Sequence, residues 1–449
     1  MAGMTDTIAA IATAAGRGAV GIVRLSGPQA FAIASQLAGS LPPPRQAALR
    51  ALRDAQGEVL DQGLVLCFPG PRSFTGEDVV ELQGHGGPVL LAELLRAAVV
   101  AGARIAQPGE FSERAYLNGR LDLAQAEAIA DLIDAASGQA VRAAQKTLEG
   151  AFSRRVHALA DQLTELRVFV EGALDFSDED IDWLADARLA ERLASAEALL
   201  AETRQQAGQG RRLREGMTVA IVGQPNVGKS TLLNALAGYE AAIVSEQAGT
   251  TRDTLREHLL LDGLPLTIVD TAGLRDTEDA IEREGIRRAW QALEKAELAL
   301  FLVDDRAGVT EADRALLTRL PALPRLLLRN KCDLAGHAPA LHSGPEGQEL
   351  RLSAKAGLGL DLLVQALKAQ AGLSEVGEGL FLARARHLDA LDQAASHLAQ
   401  ARQRLTEAAH AELAAEELRL AQMALGRITG EQRSDALLGE IFRRFCIGK

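Results

Sequence analysis

Aromatic residues, cysteines and long apolar runs are all scarce in this chain of 449 residues. Phe, Trp and Tyr make up 3% of it although 47% is hydrophobic, so small and aliphatic side chains must fill the core, which favours helices. Cys67, Cys332 and Cys446 lie far apart, which predicts neither a disulfide framework nor a zinc site and fits a reducing, cytoplasmic location. No run approaches the ~18 apolar residues of a membrane span, and the first residues lack the pattern of a signal peptide.

Positively charged residues are also in deficit: the chain has 48 Lys and Arg residues but 60 Asp and Glu residues, so its net charge is -12. An acidic chain of this kind is not a general nucleic-acid coat. Any RNA contact must therefore come from a local basic patch or from a partner. Arg211, Arg212 and Arg214 form one basic cluster, and two interpretations of it stay open: an RNA contact, or the solvated end of a helix.

The length suggests about three domains, and the sequence pattern changes at three points. Residues 1–119 mix short β-like runs with Gly and Pro, 120–215 have a helical period, 216–375 alternate strand and helix, and 376–449 are helical again. We predict a multidomain α+β and α/β protein whose α/β domain is inserted into a discontinuous helical domain. Two separate helical domains are the alternative. Gly208 and Gly210 are interpreted as a short linker.

Residues 223–230 read G-Q-P-N-V-G-K-S, the pattern of a phosphate-binding loop (P-loop). An apolar run at 219–222 predicts the strand before it, and 231–236 predict the helix after it. The glycines let backbone N–H groups face a phosphate chain, Lys229 adds a positive charge, and the Ser230 hydroxyl can ligate Mg²⁺.

Further nucleotide motifs follow in order at predicted strand ends. After the strand at 266–269, Asp270 would hold Mg²⁺ through water and the Gly273 N–H would face the terminal phosphate. Asn330-Lys331-Cys332-Asp333 follows the next strand, and its carboxylate at Asp333 can accept from two N–H groups of guanine that adenine lacks. The segment 353–355 would close over the base, and 249–253 would supply a Mg²⁺ ligand, Thr251. Together these motifs predict a GTPase with an inserted P-loop α/β domain, the G domain.

The residue that orients the attacking water is not where many GTPases have it. They carry Gln directly after the segment that here ends at Gly273, whereas this chain has Leu274. Glu282 lies a short way downstream, where a carboxylate could orient water directly or through a second water. Arg252 and Arg275 are weaker candidates for an arginine finger.

The chain also carries motifs outside the G domain, at 6–24, 74–87, 108–123 and 445–449. With them, the whole length resembles the MnmE (TrmE) family, the GTPases that modify the wobble uridine of tRNA. The resemblance implies an N-terminal folate-binding domain that dimerises, a discontinuous helical domain and an inserted Era/Ras-like G domain.

By matching position, four residues of this chain would line the site of a tetrahydrofolate derivative (5-formyl or 5,10-methylene): Arg24, Glu81, Arg120 and Lys449. Glu81 would pair with pterin N–H groups, and the cations would hold the glutamate carboxylates of the cofactor. Cys446 has two open interpretations, a role in the chemistry or a small residue near the folate site.

In this family a K⁺ ion takes the place of an arginine finger, and the resemblance implies Asn226, Ser245, Gln247 and Thr250 as its ligands. The loop that begins Ser245-Glu246-Gln247 departs from the family, which more often has Thr, Asp and a β-branched residue there. Glu282 matches the family's water-orienting glutamate, so the predicted catalytic residues are Glu282, Thr250 and Thr251. The Mg²⁺ ligands are Ser230 and Thr251. The full set predicted to contact GTP is Asn226, Val227, Gly228, Lys229, Ser230, Thr231, Ser245, Glu246, Gln247, Ala248, Gly249, Thr250, Thr251, Asp270, Thr271, Ala272, Gly273, Asn330, Lys331, Asp333, Ser353, Ala354 and Lys355.

The partners implied by the resemblance are a second copy of the chain, tRNA, and a flavin-dependent, MnmG-like protein that carries FAD and forms a heterotetramer or larger complex. The product would be an aminomethyl or carboxymethylaminomethyl group at C5 of the wobble uridine. One alternative is an Era-like regulatory GTPase in ribosome assembly. Another is a folate-dependent transferase with a vestigial G domain, which the complete GTP motifs disfavour.

Overall fold

The computed structural model describes residues 6–175, 187–239, 256–270, 290–291, 293–373, 379–405, 411–432 and 435–448. Its strands are β1 Ile8–Ile11, β2 Gly18–Ser26, β3 Ala48–Arg53, β4 Val59–Phe68, β5 Val79–Gly86, β6 Arg104–Ile105, β7 Met217–Gly223, β8 Arg256–Leu261, β9 Leu264–Asp270, β10 Leu298–Asp304, β11 Arg325–Asn330, β12 Ala340–Gly344 and β13 Gly347–Arg351. Its helices are α1 Ala30–Ala38, α2 Pro88–Val100, α3 Glu110–Leu117, α4 Leu123–Ile133, α5 Gly138–Leu148, α6 Ala151–Asp175, α7 Ala187–Glu215, α8 Lys229–Tyr239, α9 Glu311–Arg319, α10 Cys332–Ala335, α11 Leu360–Gln370, α12 Ala385–Arg404, α13 Ala411–Thr429 and α14 Asp435–Arg443.

Two compact units contain these elements. Unit 1 combines Met1–Ala130, Leu148–Leu184 and His397–Lys449, and unit 2 combines Asp131–Thr147 with Ala185–Ser396. Each unit is therefore built from separated segments. The fold class predicted from the sequence is confirmed: an α+β N-terminal part, a helical part and a P-loop α/β part. The domain limits at 119, 215 and 375 remain a prediction.

Unit 1 begins with a mixed six-stranded sheet in the order β3-β4-β5-β2-β1-β6. Strands β2 and β5 are antiparallel, with Arg24 opposite Glu81. Alternation along β2 buries Val23 and Leu25 against α1 and α2, so Arg24, which lies between them, points to the opposite face. The sheet thus presents one apolar face to α1 and α2, and its opposite face carries Arg24 and Glu81 together with a smaller apolar cluster that includes Phe111.

The helical part of unit 1 joins distant segments of the chain. Helices α6 and α13 pack together, and the Arg167 guanidinium donates to the Gln422 side-chain oxygen at 2.8 Å. Helix α14 packs its apolar side against α3 and α4, where Tyr116 and Leu123 share a cluster with Phe442. The last residues of the chain are thereby held against the N-terminal part.

Unit 2 contains a seven-stranded sheet in the order β12-β13-β11-β10-β7-β9-β8. Strands β13, β11, β10, β7 and β9 are parallel, while β8 and β12 pair antiparallel at the two edges. The central strands are apolar along their length because helices cover both faces. Parallel strands end together at one edge of the sheet, and that edge carries the nucleotide motifs.

The linker predicted at Gly208 and Gly210 was wrong, since both glycines lie inside helix α7. A Cβ at Gly210 would overlap the Phe381 carbonyl oxygen, so glycine here permits a close approach of two backbones rather than a turn. In the basic cluster of α7, Arg211 pairs with Glu215 at 2.7 Å and Arg214 pairs with the buried Asp131 at 2.7 Å. Within the part of the chain that the structure describes, no helix is long and apolar enough to cross a membrane.

Candidate functional site

The predicted phosphate loop joins β7 to α8, as its sequence required. Gly223 and Gly228 have φ angles of 154° and 103°, and a Cβ on either would overlap a neighbour. At Gly228 that neighbour is the Asn330 side-chain nitrogen. These two positions therefore need glycine for both conformation and space.

Two side chains of the loop are placed to meet phosphate and a divalent cation. The Lys229 ammonium donates to the carbonyl oxygens of Gly223 and Gln224 at 2.9 and 3.0 Å, which holds it over the loop. Ser230 is exposed in the first turn of α8, where its hydroxyl oxygen can reach solvent or a cation. A hard oxygen ligand at a helix N-terminus suits a Mg²⁺ ion bound to phosphates.

Asn330, the last residue of β11, links three predicted motifs. Its side chain is buried, donates to the Val227 carbonyl oxygen at 2.7 Å, and accepts from the Ala354 backbone N–H at 2.9 Å. The phosphate loop, the base-selective segment and the 353–355 segment are thus joined through one amide. Such an amide satisfies two buried backbone groups and fixes the shape of the base pocket.

Lys331 follows in a left-handed conformation with a φ of 67°. Its ammonium donates to the Asn226 carbonyl oxygen at 2.7 Å and lies 3.0 Å from a carboxylate oxygen of Asp304. Asp304 also pairs with Arg306 at 2.7 Å. Hydrogen bonds from Arg306 and then Lys331 hold the pKa of Asp304 well below its usual range.

Sequence reasoning missed Asp304 and Arg306. The available signal was position, because Asp304 ends the buried run of β10 in register with Asn330 of β11. A carboxylate at that edge of a parallel sheet is a candidate binding residue.

A cavity of about 500 Å³ opens between these elements. Its size suits a purine nucleoside. Next to it, Cys332 is fully buried, and burial followed by the charge of Asp333 raises the pKa of its thiol. The residues that line the cavity are Gly228, Thr231, Arg306, Asn330, Lys331, Asp333, Leu334, Lys355 and Ala356.

Several predicted residues lie outside the part of the chain that the structure describes. Asp270 is the last residue of β9, at the same edge of the sheet, but its side chain is not described. The predictions that fall wholly outside the described ranges are those for Ser245, Glu246, Gln247, Ala248, Gly249, Thr250, Thr251, Arg252, Thr271, Ala272, Gly273, Arg275, Glu282 and Lys449.

A second polar site lies on the face of the N-terminal sheet opposite α1 and α2. The Arg24 guanidinium lies 2.9 Å from a carboxylate oxygen of Glu81, and the other oxygen of Glu81 accepts from Gln83 at 3.1 Å. The rings of Phe74 and Phe111 have their centroids 5.7 Å from the guanidinium carbon of Arg24. Both Nε and Nη2 of Arg24 lie within 3.0 Å of the first oxygen, whereas the second oxygen accepts from Gln83 and can accept one further N–H donor.

The C-terminal tail reaches this site. Arg24 donates to the Gly448 carbonyl oxygen at 3.4 Å, and a Cβ on Gly448 would overlap the Ile11 carbonyl oxygen. Cys446 is exposed, and its carbonyl oxygen accepts from the Gly109 N–H at 3.4 Å. Arg24, Glu81 and the tail are therefore together.

Arg120 is exposed, and its side chain borders Gly76 in the loop that follows Phe74. Its predicted folate contact is compatible with this position but is not tested by it.

A buried ion cluster supports the loop that contains Gly76 and Glu77, and no sequence motif marks it. Arg114 is 1% exposed and pairs with Asp6, Glu77 and Glu110 at 2.7, 3.1 and 3.0 Å. Arg104 pairs with Glu110 at 2.6 Å. Burial alone would raise the pKa of Glu110, but hydrogen bonds from Arg104 and Arg114 outweigh it and the pKa is lowered.

The phosphate loop at the end of β7 and the guanine-selective segment at the end of β11 define the class: a P-loop GTPase, a hydrolase that acts on GTP. Two family models match the chain, the GTP-binding protein TrmE N-terminus over residues 7–120 and the MnmE helical domain over residues 123–446. The chain belongs to the MnmE (TrmE) family of tRNA modification GTPases.

Full-length relatives agree with this assignment. The tRNA modification GTPase MnmE of Sodalis glossinidius is 56% identical, with 99% of each chain covered. That of Thiobacillus denitrificans is 55% identical and covers 99% of this chain and 98% of its own. An Era variant from Aquifex aeolicus bound to GDP and AlF4⁻ is 28% identical over 40% of this chain and 66% of its own, with a TM-score of 0.29. The family assignment rests on the full-length relatives.

Proposed function

We propose that this protein couples GTP hydrolysis to the addition of an aminomethyl or carboxymethylaminomethyl group at C5 of the wobble uridine of certain tRNAs. The observation that carries the proposal is the coexistence in one chain of two sites. One is the base pocket joined through Asn330 to the phosphate loop, and the other is the Arg24–Glu81 pair that the C-terminal tail contacts.

In the G domain, each described motif has a task in binding GTP. Asp333 accepts from the guanine N–H groups, while the N–H groups of the phosphate loop and Lys229 hold the phosphates. Ser230 and Thr251 would hold Mg²⁺, whose charge offsets the charge that develops on the phosphates during transfer. Glu282 would orient the attacking water, supported by Thr250 and Thr251.

A monovalent cation completes the proposed GTPase site. Asn226, Ser245, Gln247 and Thr250 would hold K⁺, which would supply the positive charge that an arginine finger supplies in other GTPases. Asn226 is compatible with this role, because it lies in the phosphate loop and has a left-handed φ of 60°.

In unit 1, a tetrahydrofolate derivative, 5-formyl or 5,10-methylene, would bind on the face of the N-terminal sheet that carries Arg24 and Glu81. When bound, the cofactor supplies the one-carbon unit. Glu81 would accept from the pterin N–H groups, and Arg24, Arg120 and Lys449 would face its carboxylates. Cys446 is exposed beside this face, which is compatible with a role in the chemistry.

The proposed partners follow from the family and from charge. The chain would act as a homodimer together with a flavin-dependent, MnmG-like protein that carries FAD. With a net charge of -12, this chain offers little attraction to tRNA as a whole. The partner would therefore supply much of the positive surface that tRNA requires.

Mass spectrometry of bulk tRNA nucleosides tests the proposal. Cells that lack this gene should lose the C5-modified wobble uridines, and the full-length gene should restore them. Complementation with Cys446→Ser alongside the wild type separates a chemical role of this thiol from a packing role. Unchanged nucleosides in the deletion strain would overturn the proposal and favour a regulatory role in ribosome assembly, which ribosome profiles would then examine.

A further inference from the structure

Arg306 stands at the mouth of the base pocket, two residues beyond the end of β10. Its Nε and Nη2 atoms donate to the two carboxylate oxygens of Asp304 at 3.0 and 2.7 Å, and its backbone N–H donates to the same carboxylate at 3.1 Å. The guanidinium is thus held in one orientation by a two-pronged pair. Since these hydrogen bonds lie in the plane of the guanidinium, they cover neither of the faces that can stack on a ring.

The surroundings of Arg306 point to a ligand. Its side chain is 52% exposed, yet it lines the same cavity as Asn330, Lys331 and Asp333. It also shares the Asp304 carboxylate with Lys331, so the two cationic side chains lie side by side. An ordinary surface ion pair contributes little to stability. Stability alone therefore does not explain why Arg306 lines a cavity of purine size.

We propose that Arg306 binds the guanine base itself, with its guanidinium plane stacked on the ring on the side where Lys331 lies. The contact adds affinity for the purine ring, whereas Asp333 reads the N–H groups at its edge. Arg306 is then an affinity residue rather than a selectivity residue. This inference rests on the proposed function in one respect, namely that the cavity holds the base of a guanine nucleotide.

Nucleotide binding to the full-length protein tests the inference. Dissociation constants for GDP and inosine diphosphate are measured by calorimetry for the wild type and for Arg306→Ala, Arg306→Lys and Arg306→Phe. The Ala variant should bind both nucleotides roughly three- to thirty-fold more weakly, by the same factor for each, because a stacked cation is worth about 0.5–2 kcal/mol. Inosine diphosphate lacks the exocyclic amine, so an equal loss separates stacking from recognition of the base edge.

The Phe variant decides between stacking and charge. Phe can stack but cannot pair with Asp304, and it should bind GDP within about three-fold of the wild type. Weak binding by the Phe variant, or unchanged binding by the Ala variant, would overturn the inference. Arg314→Ala is the matched control, because Arg314 is exposed on α9 and should leave both constants unchanged. Failure of the wild type to bind GDP would instead contradict the proposed function.

Discussion

The side-chain amide of Asn330 donates to the backbone carbonyl oxygen of Val227 at 2.7 Å. The segment 330–333, predicted to select the base, is therefore hydrogen bonded to the predicted phosphate loop. Any change that pushes Asn330 away must disturb both parts of the nucleotide site.

Gly228→Ala should cause that disturbance. The new Cβ would overlap the Asn330 side-chain nitrogen at a φ of 103°, which L side chains rarely adopt. Breaking this buried hydrogen bond leaves polar groups unpaired and should lower the free energy of unfolding by about 1–3 kcal/mol. GDP binding, followed by calorimetry, should fall below detection.

Gly238→Ala is the matched control for Gly228→Ala. Gly238 lies in α8, the helix that follows Gly228, and its Cβ would meet nothing within 4 Å. This substitution should keep GDP affinity and leave stability unchanged or slightly higher, since Ala favours helices. Equal GDP affinity in both variants would contradict the geometry of the pocket.

Acid should weaken the Asp304 ion pairs in a defined direction. Arg306 and Lys331 lower the pKa of Asp304 in the folded state, so its contribution is complete above its unfolded value of about 3.9. The contribution is then lost as the pH falls further, through the folded value. Asp304→Asn should thus cost on the order of 1 kcal/mol at pH 7, and the difference from the wild type should shrink below pH ~4. Urea unfolding at several pH values measures the difference in unfolding free energy between the two proteins. A difference that grows towards low pH would contradict a lowered pKa of Asp304 in the folded state.

Arg114→Met should destabilise unit 1 strongly. The side chain of Arg114 is 1% exposed and pairs with three carboxylates, of which Glu77 and Glu110 would stay largely buried without this cation. Removing one partner from a buried ion pair costs about 3–5 kcal/mol. Denaturant unfolding measures the loss. Arg96→Ala is the control, since Arg96 forms an exposed pair with Glu93 on α2 and should change stability by less than ~1 kcal/mol.

GTP turnover should depend on the monovalent cation. If K⁺ binds at Asn226 and the 245–250 loop, phosphate release should rise at least about ten-fold when Na⁺ is replaced by K⁺. The bound K⁺ would stabilise the charge that develops in the transition state. Glu282→Ala should lower turnover by a similar or larger factor and leave GDP affinity intact. Equal rates in both salts would reject the K⁺ site, and a parallel loss of affinity would make Glu282 structural.

The folate prediction has a direct binding test. Arg24→Ala should weaken binding of 5-formyltetrahydrofolate at least about ten-fold, because a charge-assisted hydrogen bond is worth about 1.5–3 kcal/mol. Its loss also frees Glu81 and the Gly448 carbonyl oxygen from their shared donor. Arg53→Ala, at the far edge of the same sheet, should bind like the wild type. Equal affinity in the two variants would remove Arg24 from the site.

The placement of the described nucleotide motifs could be predicted from the sequence because these motifs are short and local, while their roles in binding GTP remain a prediction. The described motifs lie at strand ends, and the parallel sheet brings those ends to one edge. The link from Asn330 to Val227 spans 103 positions, yet both partners belong to recognisable motifs. Lys331 likewise sits where its motif placed it.

The supporting ion pairs were not predictable in the same way. Arg114 and Asp6 are 108 positions apart, and nothing in the local sequence marks which carboxylate a buried arginine will find. The misread glycines of α7 show the converse problem. Glycine marks turns in most sequences, but Gly210 serves the close approach of the Phe381 backbone, which only the tertiary structure reveals.

The division of unit 1 into separated segments also sets an order of events during synthesis. Unit 2 is complete once residue 396 has emerged from the ribosome, whereas unit 1 awaits the segment from 397 onwards. Gly448 packs on Ile11 and Arg24, so the first strands must wait for the end of the chain before their polar face is finished. Unit 2 can therefore reach its native state while the N-terminal sheet is still incomplete, and the polar face at Arg24 and Glu81 is completed only once Gly448 is available.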